Sequence, residues 1–357
     1  MDAPGTAREP VVRRYGPAST QTLRVAAGVR RTLLPLASGW RMTPRGIRML
    51  QRLTDPTEHV PVLRGTEVQH AQVGGIPGEW VRGPRAQAGP DPRTDPNASL
   101  VLYLHGGGYV YGSPRTHRNL VSRLSHVTGL AAFSVDYRLP PEWTMPAPVE
   151  DALAVYRALL ERHDPARIVV AGDSAGGGLA HELALHAAEA GLPAPAGLVL
   201  LSPWSDLSAS GESVRTNAAA DPFIPEIGLR RCARVAVGGG DPADWRVSPL
   251  FAPDELQARL PPTLVQVGEG QTLRDDGERV ARTLARVGVR SELELYEGTI
   301  HVAAVWTGTP EARDALHHIA RFVDDVLPAD APDPSARAES EAAGEGGTGL
   351  TAAEDDA

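Results

Sequence analysis

Lysine is absent from this 357-residue sequence, and all 35 basic side chains counted as lysine or arginine are arginine. This absence excludes a lysine Schiff base and the lysine of a phosphate-binding P-loop. A single cysteine, Cys232, excludes a disulfide framework and a zinc site built from cysteines. No run of about 18 or more apolar residues occurs, so we expect no transmembrane helix.

Acidic residues outnumber basic residues by 44 to 35, and the charge is unevenly distributed along the chain. The net charge of -9 and the pI near 5.7 argue against a nucleic-acid partner. Residues 1–60 nevertheless carry a net charge of +6, whereas residues 328–357 carry -7 and have Leu350 as their only large aliphatic residue. Because that last segment can bury so little apolar surface, we predict a disordered acidic tail over 328–357.

The start of the sequence does not resemble a secretion signal. It lacks the positive start and the apolar run of a signal peptide. The pair Arg30 and Arg31 precedes only a short apolar stretch interrupted by Pro35, which is a weak match to a twin-arginine signal. We therefore expect a cytoplasmic protein.

Two segments of different pattern follow one another along the chain. The first, residues 1–60, contains predicted amphipathic helices over 20–37 and 43–54, the second capped by Thr43. The other contains short apolar runs that alternate with helical segments over 116–128, 148–162, 175–190, 274–287 and 311–327. The apolar runs are Leu100–Leu104, Ala131–Val135, Ile168–Ala171, Gly197–Leu201, Thr263–Val267 and Leu293–Tyr296. This alternation predicts an α/β fold with a mostly parallel sheet, helices on both faces, and functional residues at the carboxyl ends of the strands.

The most specific motif is Gly172-Asp173-Ser174-Ala175-Gly176-Gly177. It follows one predicted strand and precedes a predicted helix, and its glycines permit a tight turn between the two. Such a turn would hold the Ser174 hydroxyl at a helix N-terminus, which favours a nucleophilic serine. A glycine-rich turn with an incidental serine is the alternative interpretation.

A second glycine-rich segment, His105-Gly106-Gly107-Gly108-Tyr109, directly follows the strand Leu100–Leu104. Successive glycines leave backbone N–H groups accessible, and such donors can stabilise a developing oxyanion. We assign this role to the N–H groups of Gly106, Gly107 and Ala175. His105 is interpreted as a residue that orients the loop, and a plain flexible turn is the alternative.

His301 is the candidate general base. It follows the predicted strand Leu293–Tyr296, and a histidine there can take a proton from serine. Most of the 11 histidines are expected to be surface or packing residues. The choice of His301 depends on chain order, because the base comes last in hydrolases with a serine on a strand-to-helix turn.

Taken together, these motifs resemble the hormone-sensitive-lipase-like (GDXG lipolytic enzyme) family of alpha/beta-hydrolase esterases. The resemblance covers about residues 100–327. Beyond the two glycine-rich motifs, it is carried by Asp136-Tyr137-Arg138-Leu139-Pro140-Pro141-Glu142, Glu150-Asp151-Ala152, Ser202-Pro203-Trp204-Ser205-Asp206-Leu207, Asp221-Pro222 and Ser248-Pro249-Leu250.

The resemblance implies an alpha/beta-hydrolase fold with a helical cap over the active site. The cap would comprise residues 1–60 and an insert near 208–247, and the catalytic domain would extend over 61–327. It also implies a serine-dependent carboxylic-ester hydrolase that acts through an acyl-enzyme on a small or medium acyl ester and needs no cofactor. We find no metal-ligand spacing, and the oligomeric state stays open, with a homodimer as one option.

The sequence departs from the family at the acid of the catalytic triad. Alignment of residues 273–276 with the family pattern places Gln271 at the acid position, and glutamine cannot stabilise an imidazolium by charge. Glu269 lies two residues earlier and would share a side of an extended segment, so we assign it as the surrogate acid. Asp275 is the other candidate, although we expect it to open the next helix. True loss of the acid also remains open.

Two functions are alternatives to ester hydrolysis. The second hypothesis is a non-hydrolytic enzyme, because some relatives with a degraded triad catalyse cyclisation or elimination and Gln271 is neutral. The third hypothesis is a binding protein, because one plant hormone receptor shares this fold after losing its catalytic histidine. Retention of both Ser174 and His301 argues against that third hypothesis.

Overall fold

One nine-stranded sheet runs through the protein, in the order β1-β9-β8-β7-β6-β4-β5-β3-β2. A computed structural model describes residues 9–54 and 62–328. Strand pairs are parallel except where β3 runs antiparallel to β2 and β5. The strands are β1 (Val11–Tyr15), β2 (Glu67–Val73), β3 (Ile76–Arg82), β4 (Leu100–Leu104), β5 (Ala131–Val135), β6 (Ile168–Asp173), β7 (Gly197–Leu201), β8 (Thr263–Gly268) and β9 (Ser291–Tyr296).

Helices connect the parallel strands and cover both faces of the sheet. The helices are α1 (Thr20–Gly39), α2 (Pro44–Thr54), α3 (Pro114–Thr128), α4 (Ala147–Leu160), α5 (Ala175–Glu189), α6 (Ser213–Thr216), α7 (Glu226–Val237), α8 (Asp254–Gln257), α9 (Arg274–Arg286) and α10 (Pro310–Val326). Apolar side chains of α4, α5 and α9 pack on one face, and those of α3 and α10 pack on the other. The predicted alpha/beta-hydrolase fold, with its mostly parallel sheet, is confirmed.

The central strands are continuous apolar runs because both of their faces are buried. In β4, Leu100, Leu102 and Leu104 enter one apolar cluster, whereas Val101 and Tyr103 enter the cluster on the opposite face. The carboxyl ends of β4, β6, β7, β8 and β9 therefore meet along one edge of the sheet, where the residues that follow them are brought together.

The N-terminal segment differs in part from the prediction that residues 1–60 form a helical cap. Residues 11–15 form β1, an edge strand that pairs in parallel with β9. An ion pair from Arg13 to Glu292 supports this pairing, and Val11 and Val12 remain exposed. Because β1 is held mainly by its backbone ladder, its sequence carries no burial pattern that would have predicted it.

The N-terminal helices contact the insert that we predict as the rest of the cap. Thr43 accepts the N–H of Gly46 at 3.1 Å, which confirms it as the cap of α2. Arg231 of α7 donates to the carbonyl oxygens of Ser38 and Trp40, at the end of α1. The insert 208–247 is therefore joined directly to α1. The catalytic domain's lower bound at 61 lies outside the described residues, as does all of the predicted tail over 328–357 except Pro328, so both stay predictions.

None of the helices in the described part of the chain is long and apolar enough to cross a membrane.

His181 makes the stability of this fold depend on pH. It is fully buried in α5 and shares a hydrogen bond of 3.0 Å with Gln257, and burial lowers its pKa from 6.5 to about 4. Between these values the unfolded state binds more protons than the folded state. The free energy of unfolding therefore falls as the pH drops from about 6.5 toward 4, by up to about 3 kcal/mol.

We expect His181→Gln, which keeps a donor for Gln257, to remove most of this acid sensitivity. Urea unfolding of both proteins at about pH 7.5 and about pH 5 measures the difference. An equal loss of stability in the two proteins would show that other groups cause the acid sensitivity.

Candidate active site

Ser174 lies at the junction of β6 and α5, with backbone angles φ 54° and ψ -121°. Left-handed φ is unfavourable for a residue with a side chain, and it persists here because the turn is fixed on both sides. The N–H of Ser174 donates to the carbonyl of Leu201 at 2.8 Å, and its carbonyl accepts the N–H of Trp204 at 2.9 Å. The residue is 9% exposed. Ser174 thus lies in a tight strand-to-helix turn, as the sequence predicts.

The glycines around Ser174 are required by close backbone approach. A Cβ at Gly172 would overlap the carbonyl of Gly176, the second residue of α5. A larger residue at 172 would push the strand away from the helix and open the turn.

The loop after β4 lies beside this turn, and the N–H groups of its first two glycines differ in whether they have an acceptor. The N–H of Gly106 donates to Oδ1 of Asp173 at 3.0 Å, so this donor is already occupied. Gly107 has φ 123°, and within the described residues its N–H has no acceptor. Ala175 is the first residue of α5, where N–H groups have no partner within the helix. The geometry therefore favours Gly107 and Ala175 as oxyanion donors and does not support Gly106.

Asp173 ties the two glycine-rich segments together. Besides the N–H of Gly106, its carboxylate accepts the Tyr103 hydroxyl at 2.6 Å and lies 3.3 Å from the ring of His117. Burial acts to raise the pKa of Asp173, but the charge and hydrogen bond of His117 and the Tyr103 hydroxyl hold that pKa below its ordinary value. Asp173 is thus an ionised anchor for the loop.

His105 lies beneath this loop. Its ring stacks on Tyr137 with centroids 4.2 Å apart, and its Nδ1 lies 2.8 Å from the carbonyl oxygen of Gly106. The hydroxyl of Tyr137 donates to the carbonyl of His105 at 2.6 Å. These contacts agree with a role in orienting the loop.

His301 follows β9 and is 4% exposed. The ring of Phe223, from the cap insert, stacks on its imidazole with centroids 6.0 Å apart. Its carbonyl accepts the indole N–H of Trp306 at 2.9 Å. The next residue, Val302, donates its N–H to Ser202, directly after the strand that also holds Ser174. The turn at Ser174 and the loop at His301 are therefore both attached to the end of β7.

The imidazole of His301 makes no hydrogen bond through either ring nitrogen to any described residue, Ser174 included. Its pKa lies below the ordinary value because burial disfavours the imidazolium, while the charges of Asp221 and Asp173 act in the opposite direction. A neutral imidazole is the form that can accept a proton from serine.

The candidate acids occupy different places. Glu269 forms an ion pair with Arg14 of β1, and no contact joins its carboxylate to His301, so the geometry does not support it as the surrogate acid. Asp275 lies in the first turn of α9, as expected, accepting the N–H of Ser213 and pairing with Arg274. Gln271 is buried, and its amide donates to the carbonyl of Ile300 at 3.0 Å.

Sequence reasoning did not select Asp221 as a charge near His301. The only sequence signal was its place in the Asp-Pro match to the family. The described residues contain no group of three or more acidic, histidine or cysteine side chains arranged to hold a metal ion.

Comparison with known proteins agrees with this fold. Residues 101–305 match the model of a family described by the alpha/beta hydrolase fold. The chain is 40% identical over 253 residues to an acetyl-hydrolase of Streptomyces hygroscopicus, covering 70% of this chain and 80% of that protein. A putative acetyl-hydrolase of Mycobacterium tuberculosis is 32% identical over 82% of this chain and 91% of its own length.

A solved structure of a similar protein has the same fold. A crystal structure of an esterase from the bacterial hormone-sensitive lipase family superposes with a TM-score of 0.76 at 36% identity, covering 87% of this chain and all of that one. The chain therefore belongs to the alpha/beta-hydrolase fold family, within its hormone-sensitive-lipase-like esterases, and is a carboxylesterase-type hydrolase.

Proposed function

We propose that this hydrolase cleaves small or medium acyl esters through an acyl-enzyme on Ser174, with His301 as general base. The observation that carries the proposal is the left-handed backbone of Ser174 at a strand-to-helix turn, beside the unengaged N–H groups of Gly107 and Ala175. This arrangement would bring a nucleophile and oxyanion donors to one reacting carbon.

The reaction has two halves. In the first, the Ser174 hydroxyl oxygen attacks the acyl carbon while His301 takes its proton. The bond from the acyl carbon to the alcohol oxygen then breaks, and the imidazolium returns the proton to the leaving alcohol. In the second, water attacks the acyl-serine, His301 accepts a proton from the water, and that proton returns to Ser174 as the carboxylic acid leaves. The N–H groups of Gly107 and Ala175 stabilise the oxyanion in both halves.

An acetyl ester is the substrate class that we favour. Two relatives that align over most of this chain are called acetyl-hydrolases. The site itself is closely covered, since Ser174 and His301 are both buried and the ring of Phe223 lies over the imidazole. A closely covered acyl site favours a short acyl chain over a long one.

The test uses the purified protein with p-nitrophenyl acetate and with longer acyl esters. We expect a burst of p-nitrophenol close to one equivalent per site. Steady turnover should follow and should be fastest with p-nitrophenyl acetate. A fluorophosphonate should label the peptide that contains Ser174, as read by mass spectrometry. A folded protein that shows neither label nor turnover would contradict the proposal.

One result would favour the non-hydrolytic alternative, which the neutral residue at position 271 motivates. Labelling of Ser174 without turnover of any activated ester would show a reactive serine in a site that does not complete hydrolysis. Turnover of p-nitrophenyl acetate would exclude the non-hydrolytic alternative.

A further inference from the structure

The site has no carboxylate at the position where the family places its triad acid. Gln271 is neutral, its amide nitrogen is engaged by the carbonyl of Ile300, and its buried Oε1 has no hydrogen-bond partner among the described residues. The ion pair of Glu269 with Arg14 removes the nearest sequence alternative. Transfer of a proton to His301 nevertheless creates a buried cation, which is costly unless an opposite charge faces it.

Asp221 joins the two loops that surround His301. Its Oδ1 accepts the N–H groups of Phe223 and Ile224 at 2.8 and 3.0 Å, and the Phe223 ring stacks on the imidazole. Its Oδ2 accepts the N–H and the hydroxyl of Thr272 at 2.9 and 3.2 Å, directly after Gln271. The carboxylate thus lies between the loop of Phe223, which covers the imidazole, and the loop of Gln271, where the family has its triad acid.

The charge of Asp221 has no cationic partner within the described residues. It is fully buried, and its four hydrogen bonds all come from neutral donors. Asp173, the other carboxylate that acts on His301, already pairs with His117 and Tyr103. A buried carboxylate without a cation is uncommon, and the imidazolium formed during the reaction would provide one.

We propose that Asp221 takes over the electrostatic role of the triad acid and stabilises the imidazolium of His301. This inference rests on the function proposed above. Asp221 forms no covalent bond and acts through His301, so it is a positioning residue. Because Asp221 and His301 are both buried, a charge of this kind acts more strongly than it would in solvent.

The central test compares Asp221→Asn with the double variant Asp221→Asn/Gln271→Asp, using p-nitrophenyl acetate. We expect Asp221→Asn to lower kcat by about 10²–10³-fold with KM within about threefold. This loss is smaller than the about 10⁴-fold loss on Asp→Asn replacement in serine proteases, because Asp221 makes no hydrogen bond to the imidazole. The double variant returns a carboxylate to the family position and should recover at least about tenfold of that loss. Glu269→Gln, the matched carboxylate-to-amide change at the rival residue, should alter kcat by less than about threefold.

A second measurement does not depend on ester turnover. Removal of a negative charge destabilises the imidazolium, so the pKa of His301 should be lower in Asp221→Asn than in the parent protein. NMR titration of the His301 ring, assigned by its loss in His301→Asn, reads this directly. Asp221 and Asp173 are the charged groups that act on this ring, and Asp173 is unchanged in the variant. The acidic limb of kcat/KM should move to lower pH by the same amount.

Three outcomes would overturn the inference. The first is a kcat of Asp221→Asn within about threefold of the parent value. The others are a loss of activity in Asp221→Asn that the added Gln271→Asp fails to recover, and a His301 pKa that is the same in Asp221→Asn as in the parent. If Asp221→Asn does not fold, the test uses the single variant Gln271→Asp. A gain in kcat below about tenfold supports a negative charge already acting on the imidazolium of His301. A gain in kcat above about a hundredfold shows that no such charge acts in the parent protein.

Failure of the proposed function can be distinguished from failure of the inference about Asp221. If the parent protein neither turns over esters nor reacts with a fluorophosphonate, the NMR titration still measures whether Asp221 acts on His301.

Discussion

Replacement of Ser174 by alanine is expected to lower the turnover of p-nitrophenyl acetate by about 10⁴-fold or more. The reason is that the proposed acyl-enzyme cannot form without the Oγ atom, whereas the remaining N–H donors can only assist attack by water. The left-handed backbone at position 174 is held by hydrogen bonds to Leu201 and Trp204, which alanine retains. The fold should therefore be unchanged, with a melting temperature close to that of the parent.

The control for this variant is Ser134→Ala. Ser134 is also fully buried, lies in β5, and has a hydroxyl without a hydrogen-bond partner in the described part of the chain. We expect its turnover to stay within about twofold of the parent. If Ser174→Ala kept more than about one per cent of the parent activity while folded, the serine mechanism would be wrong.

The second large effect is expected at Gly107. Its φ of 123° is a backbone conformation that side chains rarely adopt, and a Cβ there would overlap the carbonyl oxygen of Tyr111. Gly107→Ala must therefore shift the loop and move the proposed oxyanion donor. We expect kcat to fall by about 10²–10³-fold, as for loss of an oxyanion-hole donor elsewhere, with a smaller change in KM.

Gly288→Ala is the matched control for Gly107→Ala. Gly288 has φ 90°, but a Cβ there would meet nothing within 4 Å. This variant carries the cost of a left-handed alanine, about 1–2 kcal/mol of stability, without displacing the active-site loop. Steady-state kinetics and thermal unfolding of both variants separate the two effects. Equal losses of kcat in both would mean that general destabilisation is the cause.

The central strands could be predicted closely from the sequence. The bounds of β4, β5 and β7 agree with the predicted runs Leu100–Leu104, Ala131–Val135 and Gly197–Leu201. Their signal is strong because a strand buried on both faces is apolar at every position. β1, at the edge, and the hairpin of β2 and β3 went unpredicted. These strands are partly exposed, and their pairing with distant segments leaves little local trace.

The turn at Ser174 was also predictable, since the glycines that permit it lie within the motif itself. The hydrogen bonds made by the neighbouring loop were not. The occupied N–H of Gly106 depends on Asp173, which lies 67 positions further along the chain. A sequence pattern can indicate which residue types are present, but not which of two adjacent N–H groups has an acceptor.

The fold class, the strand-to-helix turn of Ser174 and the absence of a carboxylate at position 271 could all be predicted from the sequence, because each depends on neighbouring residues. The charges that act on His301 could be identified only in three dimensions. The tertiary structure paired Glu269 with Arg14 of an unforeseen strand and brought Asp221 between the loops of Phe223 and Thr272. Electrostatic partnership depends on distance and burial in space, and separation along the chain specifies neither.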